Sequence, residues 1–340
     1  MMDRARITSA QVAARAGVSQ SAVSRVFTPG ASASARTIEK VRLAAAELGY
    51  RPNVLARAMV SGKSRIIGLV VAYLENQFYP VALERLSNAL QAQGYHILIF
   101  TAPNSIEDAD VVVQDLMDYQ VDGILTASVA ISSTLADRAN AAGIPVVLFN
   151  RGQDDSGFSS VTSTNFEGGR KAAEFLLAGG HERIAHIAGW QGSSTGRDRQ
   201  AGFLSVLQEA GVTPFATVDG MYKREVAMQC ARQLIGGGER PDAIFVGNDH
   251  MAFAVMDELR LTGMVPGRDV SVVGYDDVPL AGWPAYDLTT IRQPVNRMVD
   301  AAVETILAQV ETAGIAPQQI EIEGELILRS SARIPEGWTG

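Results

Sequence analysis

Polar side chains that could bind a small hydroxylated molecule follow several apolar runs of the sequence. Asn150 follows Val-Val-Leu-Phe, Asn248 follows Ile-Phe-Val-Gly, Asp276 follows Val-Val-Gly-Tyr, and Arg199 lies shortly after Ile-Ala-His-Ile-Ala-Gly. Because ligands of open α/β sheets bind beyond the carboxyl ends of strands, these residues are candidates for one shared site. Amide, carboxylate and guanidinium groups can make charge-assisted hydrogen bonds to vicinal hydroxyls, so the pattern favours a sugar or sugar derivative.

A second polar set, near the start of the chain, could bind nucleic acid. In the run that begins at Gln20, apolar side chains occupy one face of a predicted helix, whereas Gln20, Ser21, Ser24 and Arg25 share the other. Glutamine and serine can hydrogen-bond to base edges, and arginine can make a bidentate contact to guanine. This polar face therefore predicts a helix that reads the major groove of DNA.

Catalysis and metal binding are not expected. The loop Gly189–Gly196 lies where a dinucleotide-binding turn would be, but it does not match the dinucleotide or Walker fingerprints. No zinc-protease motif is present, and the four histidines have no metal-ligand spacing. With Cys230 as the single cysteine, we expect no enzyme activity, no cofactor and no metal site. The remaining alternative function is that of a transport-type binding protein. The larger part of the chain, taken alone, does not exclude it.

Charge divides the 340-residue chain into two parts. Residues 1–65 carry a net charge of +8 and the remainder carries −16, within a total of −8. A short basic segment joined to an acidic body indicates that the segment contacts a polyanion, with nucleic acid the leading candidate. We expect a cytoplasmic location with no membrane partner, because neither an apolar leader nor a spanning segment is found.

Three helices are predicted in the basic segment. Thr8 or Ser9 is expected to cap the first helix, which ends at Gly17, and Ser19 is expected to cap the second. Two short helices with a glycine turn between them make a helix-turn-helix. The third helix is predicted over residues 35–48, and its expected core residues are Ile38, Val41, Leu43 and Leu48.

The rest of the chain alternates buried-type strands with helices. Apolar runs such as Arg-Ile-Ile-Gly-Leu-Val-Val-Ala lack polar alternation, which is typical of parallel strands covered by helices on both faces. Two successive βα series predict two Rossmann-like lobes with a cleft between them. The sequence pattern alone leaves open where the chain crosses between the lobes.

Four segments in order resemble the lactose/galactose repressor family of bacterial transcription regulators. They are Val-Ala-Ala-Arg-Ala-Gly-Val-Ser-Gln-Ser-Ala-Val-Ser-Arg-Val-Phe, Ser-Ala-Arg-Thr-Ile-Glu-Lys-Val, Glu-Leu-Gly-Tyr-Arg-Pro-Asn and Ala-Arg-Ala-Met. The resemblance implies a repressor whose hinge helix enters the minor groove with an apolar wedge, a position that Met59 occupies. The DNA-binding candidates are Thr8, Ser19, Gln20, Ser21, Ser24, Arg25, Thr37, Asn53, Ala56 and Met59.

The resemblance covers almost the whole chain and implies a body like a periplasmic sugar-binding protein. The expected domains are a headpiece at 1–52, a hinge at 53–64 and a body at 65–340. Within the body, the N-lobe is expected at about 65–162 and 292–323, and the C-lobe at about 163–291 and 324–340. The effector-binding candidates are Phe78, Tyr79, Asn150, Arg199, Tyr222, Asn248 and Asp276. A homodimer on a palindromic operator is expected, because one headpiece contacts little DNA.

Overall fold

The structure is a computed structural model that describes residues 7–28, 31–51, 63–72, 74–102, 106–129, 131–153 and 157–338. The chain forms two compact units. Residues 1–65, which include the predicted hinge, are called the headpiece from here on, and residues 66–340 are called the body. The predicted hinge lies almost entirely in residues 52–62, outside the described residues.

The headpiece contains three helices: α1 (Ser9–Ala16), α2 (Gln20–Val26) and α3 (Ala35–Leu48). Thr8 caps α1 in a reciprocal capping box, in which the Thr8 N–H donates to the Gln11 side chain at 2.8 Å and the Gln11 N–H donates to the Thr8 hydroxyl at 3.3 Å. Gly17 ends α1 with a φ of 67°, a left-handed conformation that glycine adopts without strain. The predicted helix-turn-helix is therefore present.

The headpiece core is small and aliphatic. Val12, Val23 and Val41 are fully buried in it, and Ile38 is half-buried. The prediction that Leu43 closes this core was wrong, because its side chain is 62% exposed. At about 100° per residue, Leu43 lies two positions from Val41 and so points to the opposite face of α3.

The body consists of two six-stranded sheets, each flanked by helices on both faces. The first sheet has the order β11-β5-β4-β3-β1-β2, and the second has the order β12-β10-β9-β8-β6-β7. The strands are β1 Ile66–Val71, β2 His96–Thr101, β3 Gly123–Ala127, β4 Val146–Phe149, β5 Ser159–Ser163, β6 Ile184–Ala188, β7 Ala216–Asp219, β8 Ala243–Val246, β9 Ser271–Asp276, β10 Thr289–Arg292, β11 Gln319–Ile322 and β12 Leu326–Ile327. Every pairing between these strands is parallel except that of β10 with β12.

Helices connect these strands as the periodicity predicts. They are α4 Phe78–Ala92, α5 Ile106–Asp118, α6 Ser133–Ala141, α7 Asn165–Ala178, α8 Ser194–Glu209, α9 Arg224–Ile235, α10 Asp249–Leu261 and α11 Val295–Glu311. Helix α11 returns to the first sheet, where it packs against α4 and strands β3 to β5. The fold is thus a helical headpiece followed by a two-lobed α/β body, as expected.

The chain passes between the two sheets three times. The passages lie between β5 and β6, between β10 and β11, and between β11 and β12. We propose the lobe boundaries near residues 163, 291 and 324 on this basis. Because parallel strands in both lobes end at the cleft, the residues that follow them are brought face to face.

Candidate functional site: the interlobe cavity and the headpiece surface

A cavity of about 440 Å³ lies in the cleft at the strand ends, and we call it the effector cavity. The first lobe contributes Tyr79 from α4 and Asn150 after β4. The second lobe contributes Arg199 from α8, Asn248 after β8 and Asp276 at the end of β9. Tyr222 also lines it. Six of the seven predicted effector residues are therefore brought together.

Arg199 and Asp276 form a buried ion pair at the floor of the cavity. Their closest nitrogen and oxygen are 3.6 Å apart, and their side chains are 3% and 2% exposed. The Arg199 guanidinium lies 3.5 Å from the centre of the Tyr275 ring and donates to Asn165 Oδ1 at 2.9 Å and the Gly247 carbonyl at 2.7 Å. These contacts hold its planar fork in one orientation before a ligand arrives.

Asp276 is held on the opposite side by two amides. Gln293 Nε2 donates to its Oδ1 at 2.7 Å, and Asn76 Nδ2 lies 3.5 Å from its Oδ2. Burial raises the pKa of Asp276 to about 6, although Arg199 and the two amides each lower it. Its φ of 126° turns the chain sharply at the strand end.

Asp249, at the first position of α10, is a second buried carboxyl group behind the cavity. It accepts hydrogen bonds from the Thr290 hydroxyl at 2.6 Å and from the Val278 N–H at 3.0 Å. Burial, followed by the nearby charge of Asp276, raises the pKa of Asp249 to about 8. Asp249 does not line the cavity, and its hydrogen bonds to Thr290 and Val278 give it a structural role.

The raised pKa of Asp249 predicts that the body loses stability as the pH rises from the ordinary value of 3.8 to about 8. The folded state keeps a proton that the unfolded chain, with an ordinary value of 3.8, has already released. The stabilisation is therefore full at low pH and is lost as the pH rises through about 8. The lowered pKa of His186, about 4 because of burial, changes stability only in more acidic solution.

Urea unfolding between about pH 6.5 and 9 measures this dependence, because a pKa that differs by one between the folded and unfolded states corresponds to about 1.4 kcal/mol. In the wild type the free energy of unfolding should fall between about pH 6.5 and about 8 and level off above that, and the fall should be smaller in Asp249→Asn. A wild-type free energy that stays constant or rises over the range would contradict the assignment.

Asn150 lines the cavity and carries a side-chain acceptor that is buried and unsatisfied. Its Nδ2 donates to the Tyr79 hydroxyl at 2.8 Å, whereas its Oδ1 is buried with no hydrogen-bond partner among the described residues. The Tyr79 hydroxyl also contacts Ser128, and burial raises the pKa of Tyr79 to about 12. A buried acceptor without a hydrogen-bond partner is energetically costly.

One wall of the cavity is aromatic and cationic. The Arg151 guanidinium from the first lobe lies 5.7 Å from the Trp190 ring centre and 5.9 Å from that of Tyr222, both in the second lobe. The Tyr222 ring packs on Gly189, where a Cβ would approach to 2.0 Å. The glycine-containing loop that lies where a dinucleotide-binding turn would be therefore packs against an aromatic ring.

Two predicted residues have additional or different positions. Asn248 caps α10, because its Oδ1 accepts from the Met251 N–H at 3.0 Å, while the residue still lines the cavity. Phe78 does not line the cavity and instead stacks on Phe149 in the core, 6.3 Å between ring centres. It begins α4 with its side chain buried in the core, which the run of two aromatic residues did not reveal.

Several cavity residues were missed by sequence reasoning. They are Glu75, Asn76, Thr101, Arg151, Thr195, Lys223, Glu225 and His250. Arg151 follows Asn150 directly and His250 follows Asn248 by two residues, so adjacency to predicted strand-end residues was the available signal. Over the described ranges, no cluster of three or more histidine, cysteine or acidic side chains could hold a metal ion.

The headpiece presents the predicted polar face of α2. Gln20, Ser21, Ser24 and Arg25 are exposed, and Val23 is buried on the opposite side. Gln20 Nε2 donates to the Ser9 hydroxyl at 2.8 Å, which fixes its side chain across the turn between the first two helices.

Some of the other predicted DNA-binding residues lie at the N-terminal ends of helices, and the rest fall outside the described residues. Ser19 caps α2 and also contacts the Ser21 hydroxyl at 2.9 Å, and Thr37 contacts the Ser34 cap of α3 at 2.8 Å. Asn53, Ala56 and Met59 lie outside the described residues.

Comparison with known proteins identifies the family to which this chain belongs. Residues 10–53 match the sequence family described as bacterial regulatory proteins, lacI family, and residues 173–332 match the periplasmic binding protein-like domain. The HTH-type transcriptional repressor PurR of Erwinia tasmaniensis is 33% identical over 331 residues, which cover 95% of this chain and 96% of the relative. The chain belongs to the lacI family of bacterial regulatory proteins.

Solved structures of this family have the same fold. The lac repressor dimer bound to operator and the anti-inducer ONPF is 28% identical, with a TM-score of 0.86 over 96% of this chain and 99% of that chain. The complex of the transcriptional regulator CelR with cellobiose is 29% identical, with a TM-score of 0.72 over 96% and 100% of the two chains. This member of the lacI family is a DNA-binding transcriptional repressor controlled by a small-molecule effector, and it is not an enzyme. Within the described part of the chain, no helix is long and apolar enough to cross a membrane.

Proposed function

We propose that the effector of this repressor is a sugar or sugar derivative that binds in the effector cavity. The observation that carries the proposal is the set of polar side chains that line one cavity, in which Asn150 lies with the Arg199–Asp276 pair. A hydroxyl group both donates and accepts, so neighbouring hydroxyls of one ring can satisfy an amide oxygen, a carboxylate and a guanidinium together. The Tyr222 ring offers an apolar face to the same ring.

Two relatives support this ligand class. CelR was crystallised with the disaccharide cellobiose, and the lac repressor was crystallised with ONPG and ONPF. Thermal-shift measurements on the full chain with a panel of sugars and nucleosides test the proposal, because selective binding stabilises the folded body by mass action. We expect a sugar to raise the melting temperature in a concentration-dependent way. Stabilisation by nucleosides alone would contradict the sugar assignment.

The exposed face of α2 is proposed to read the operator, with Arg25 as the main base contact. Arg25→Ala should weaken operator binding by about 1 to 3 kcal/mol, because a bidentate contact to guanine is lost. Fluorescence anisotropy with operator and with random DNA of equal length measures the effect. An equal loss on both DNAs would make Arg25 a phosphate contact instead. Arg42→Ala, an exposed arginine on α3, is the matched control.

We also propose that the repressor is a homodimer that binds a two-fold symmetric operator. Two headpieces related by a two-fold axis match two half-sites and roughly double the contacted DNA surface. Light scattering at the concentration of the binding assay should give the mass of two chains. A monomer that binds operator with full affinity would refute the proposal.

A further inference from the structure

Five buried polar side chains form a closed ring beneath the effector cavity, and we call it the passage ring. Its members are Ser163, Asn165, Arg199, Asp276 and Gln293, each of them 5% exposed or less. Arg199 and Asp276 line the effector cavity, whereas Ser163, Asn165 and Gln293 do not. The ring therefore joins the two charged groups of the cavity to residues outside it.

Direct contacts close the ring. Asn165 Oδ1 accepts from Arg199 Nε at 2.9 Å, and Gln293 Nε2 donates to Asp276 Oδ1 at 2.7 Å. The ion pair of Arg199 with Asp276 joins these two arms on the side of the cavity. On the other side they meet at Ser163, whose hydroxyl lies 3.1 Å from Gln293 Oε1 and 3.3 Å from Asn165 Oδ1. A hydroxyl has one hydrogen to donate, so these two acceptors compete for it.

The three residues outside the cavity lie where the chain passes between the lobes. Ser163 is the last residue of β5 in the first sheet, and Asn165 begins α7, which packs on the second sheet. Gln293 follows β10 of the second sheet and precedes α11, which packs on the first. The hydrogen bond between Ser163 and Gln293 therefore connects two passages that run in opposite directions.

The third passage is bound to the other two through its backbone. The Thr164 N–H donates to the Ile322 carbonyl at 3.1 Å, and the Arg292 N–H donates to the Glu325 carbonyl at 2.7 Å. Between these bonds lies Gly324, where a Cβ would approach the Arg292 carbonyl oxygen to 2.2 Å. The three passages thus lie side by side, with the passage ring against two of them.

A rotation of one lobe against the other must act on this ring. Such a rotation is absorbed by torsion changes in the few residues that connect the lobes. Because Ser163 and Gln293 lie on different passages, the rotation changes the distance between them. A ring of short contacts among buried side chains cannot stay intact in every lobe orientation.

We propose that Ser163 and Gln293 are positioning residues that tie the Arg199–Asp276 pair to the passages, so that a ligand bound to this pair sets the orientation of the lobes. The inference rests on the proposed effector cavity and does not depend on the chemical class of the effector. Ser163 and Gln293 act through Asn165 and Asp276 and need not touch the effector themselves.

Ser163→Ala tests the proposal, because it removes the shared hydroxyl and leaves every cavity residue in place. The probe is the compound that binds the wild type most tightly among glucose, galactose, ribose, xylose, cellobiose, lactose, adenosine and guanosine. In the variant, the effect of this probe on operator affinity should fall from at least about tenfold to about twofold or less. Its affinity for the protein without DNA, measured by calorimetry, should stay within about threefold of the wild type.

Ser159→Ala is the matched control on the same strand. Ser159 lies at the other end of β5, is 1% exposed as Ser163 is, and accepts from Gln309 Nε2 at 2.7 Å. This variant loses a buried hydroxyl of the same kind outside the ring and should keep the full effect of the probe on operator affinity.

Gln293→Met is a second variant that breaks the same link from its other end. Methionine has nearly the same length and volume but cannot hydrogen-bond to Ser163 or Asp276 in the same way. It should also lose the effect of the probe on operator affinity. The double variant with Ser163→Ala should lose no more than either single variant, because both changes remove one interaction.

A measurement without ligand or DNA tests the same link. Spin labels are placed at Gln91→Cys on α4 and Gln233→Cys on α9, two exposed positions in different lobes, with Cys230→Ser to remove the single native thiol. Excess unlabelled chain keeps the measured distances within one chain. Pulsed electron-spin resonance should give a broader distance distribution with Ser163→Ala than in the parent, and an unchanged one with Ser159→Ala.

A full effect of the probe on operator affinity in both Ser163→Ala and Gln293→Met would overturn the inference while the effector cavity stands. An unchanged distance distribution in Ser163→Ala would overturn it as well, and this result decides the matter if no probe binds. Probe affinity in Ser163→Ala that falls as far as the effect on operator affinity would reduce Ser163 to structural support. Wild-type probe affinity in both Arg199→Ala and Asp276→Ala would overturn the proposed cavity, and the inference with it.

Discussion

Truncating Arg199 or Asp276 to alanine is expected to reduce effector affinity by about 2 to 4 kcal/mol, or roughly 30- to 1,000-fold. Each change removes a charge-assisted contact and leaves the other member of a pair that is 3% and 2% exposed without its partner. Calorimetry with the sugar found by thermal shift measures the loss. The folded variants should keep their DNA affinity in the absence of effector.

Arg197→Ala is the matched control for this experiment. Arg197 lies two residues before Arg199 on the same helix but is exposed and does not line the effector cavity. We expect the effector affinity of this variant to stay within about twofold of the wild type, as for a surface substitution. Wild-type affinity in both Arg199→Ala and Asp276→Ala would show that the effector binds elsewhere.

The same variants reveal the direction of control. An inducer must bind the DNA-released state more tightly, so a variant that no longer binds the inducer remains on its operator. If the effector is a corepressor, the variants should instead bind operator weakly under every condition. Operator titrations with and without effector distinguish the two cases.

Removing residues 1–65 is expected to abolish operator binding while effector binding is retained. The structure separates this unit from residues 66–340, and the headpiece carries a net charge of +8 against −16 for the body. The body alone should therefore repel DNA, because phosphate contacts by lysine and arginine supply much of the affinity. Anisotropy with labelled operator and calorimetry with the effector measure the two activities on the same preparation.

The control for this deletion is the full chain with Leu43→Ala, which changes an exposed headpiece residue outside the core. It should bind operator as the wild type does. Operator binding by residues 66–340 with the wild-type affinity would remove the headpiece from the DNA interface. Loss of both activities on deletion would mean that the body does not fold without the headpiece.

Much of the architecture was predictable from the sequence. The residues at helix ends and the apolar pattern of the strands both favour the helices and sheets that the chain forms. Gly17 ends α1 in the left-handed conformation that its position predicted, and Ser19 caps the helix that follows. The buried strands have no polar alternation, and both sheets are almost entirely parallel.

The candidate site was only partly predictable. Asn150, Asn248 and Asp276 were identifiable because they directly follow apolar strands. The Arg151 contact with Trp190 and Tyr222 joins residues from different lobes, and no local pattern records such a juxtaposition. The buried environment that raises the pKa of Asp249 likewise depends on tertiary packing.

The central claim, that an effector bound in the cavity controls DNA binding, is tested most directly by one operator titration. The full chain is titrated against its operator with and without saturating effector, with Arg199→Ala in parallel. We predict that the effector changes wild-type operator affinity at least about tenfold, a coupling of about 1.4 kcal/mol or more, and leaves the variant unchanged. Identical wild-type affinities with and without an effector that calorimetry shows to be bound would contradict the account.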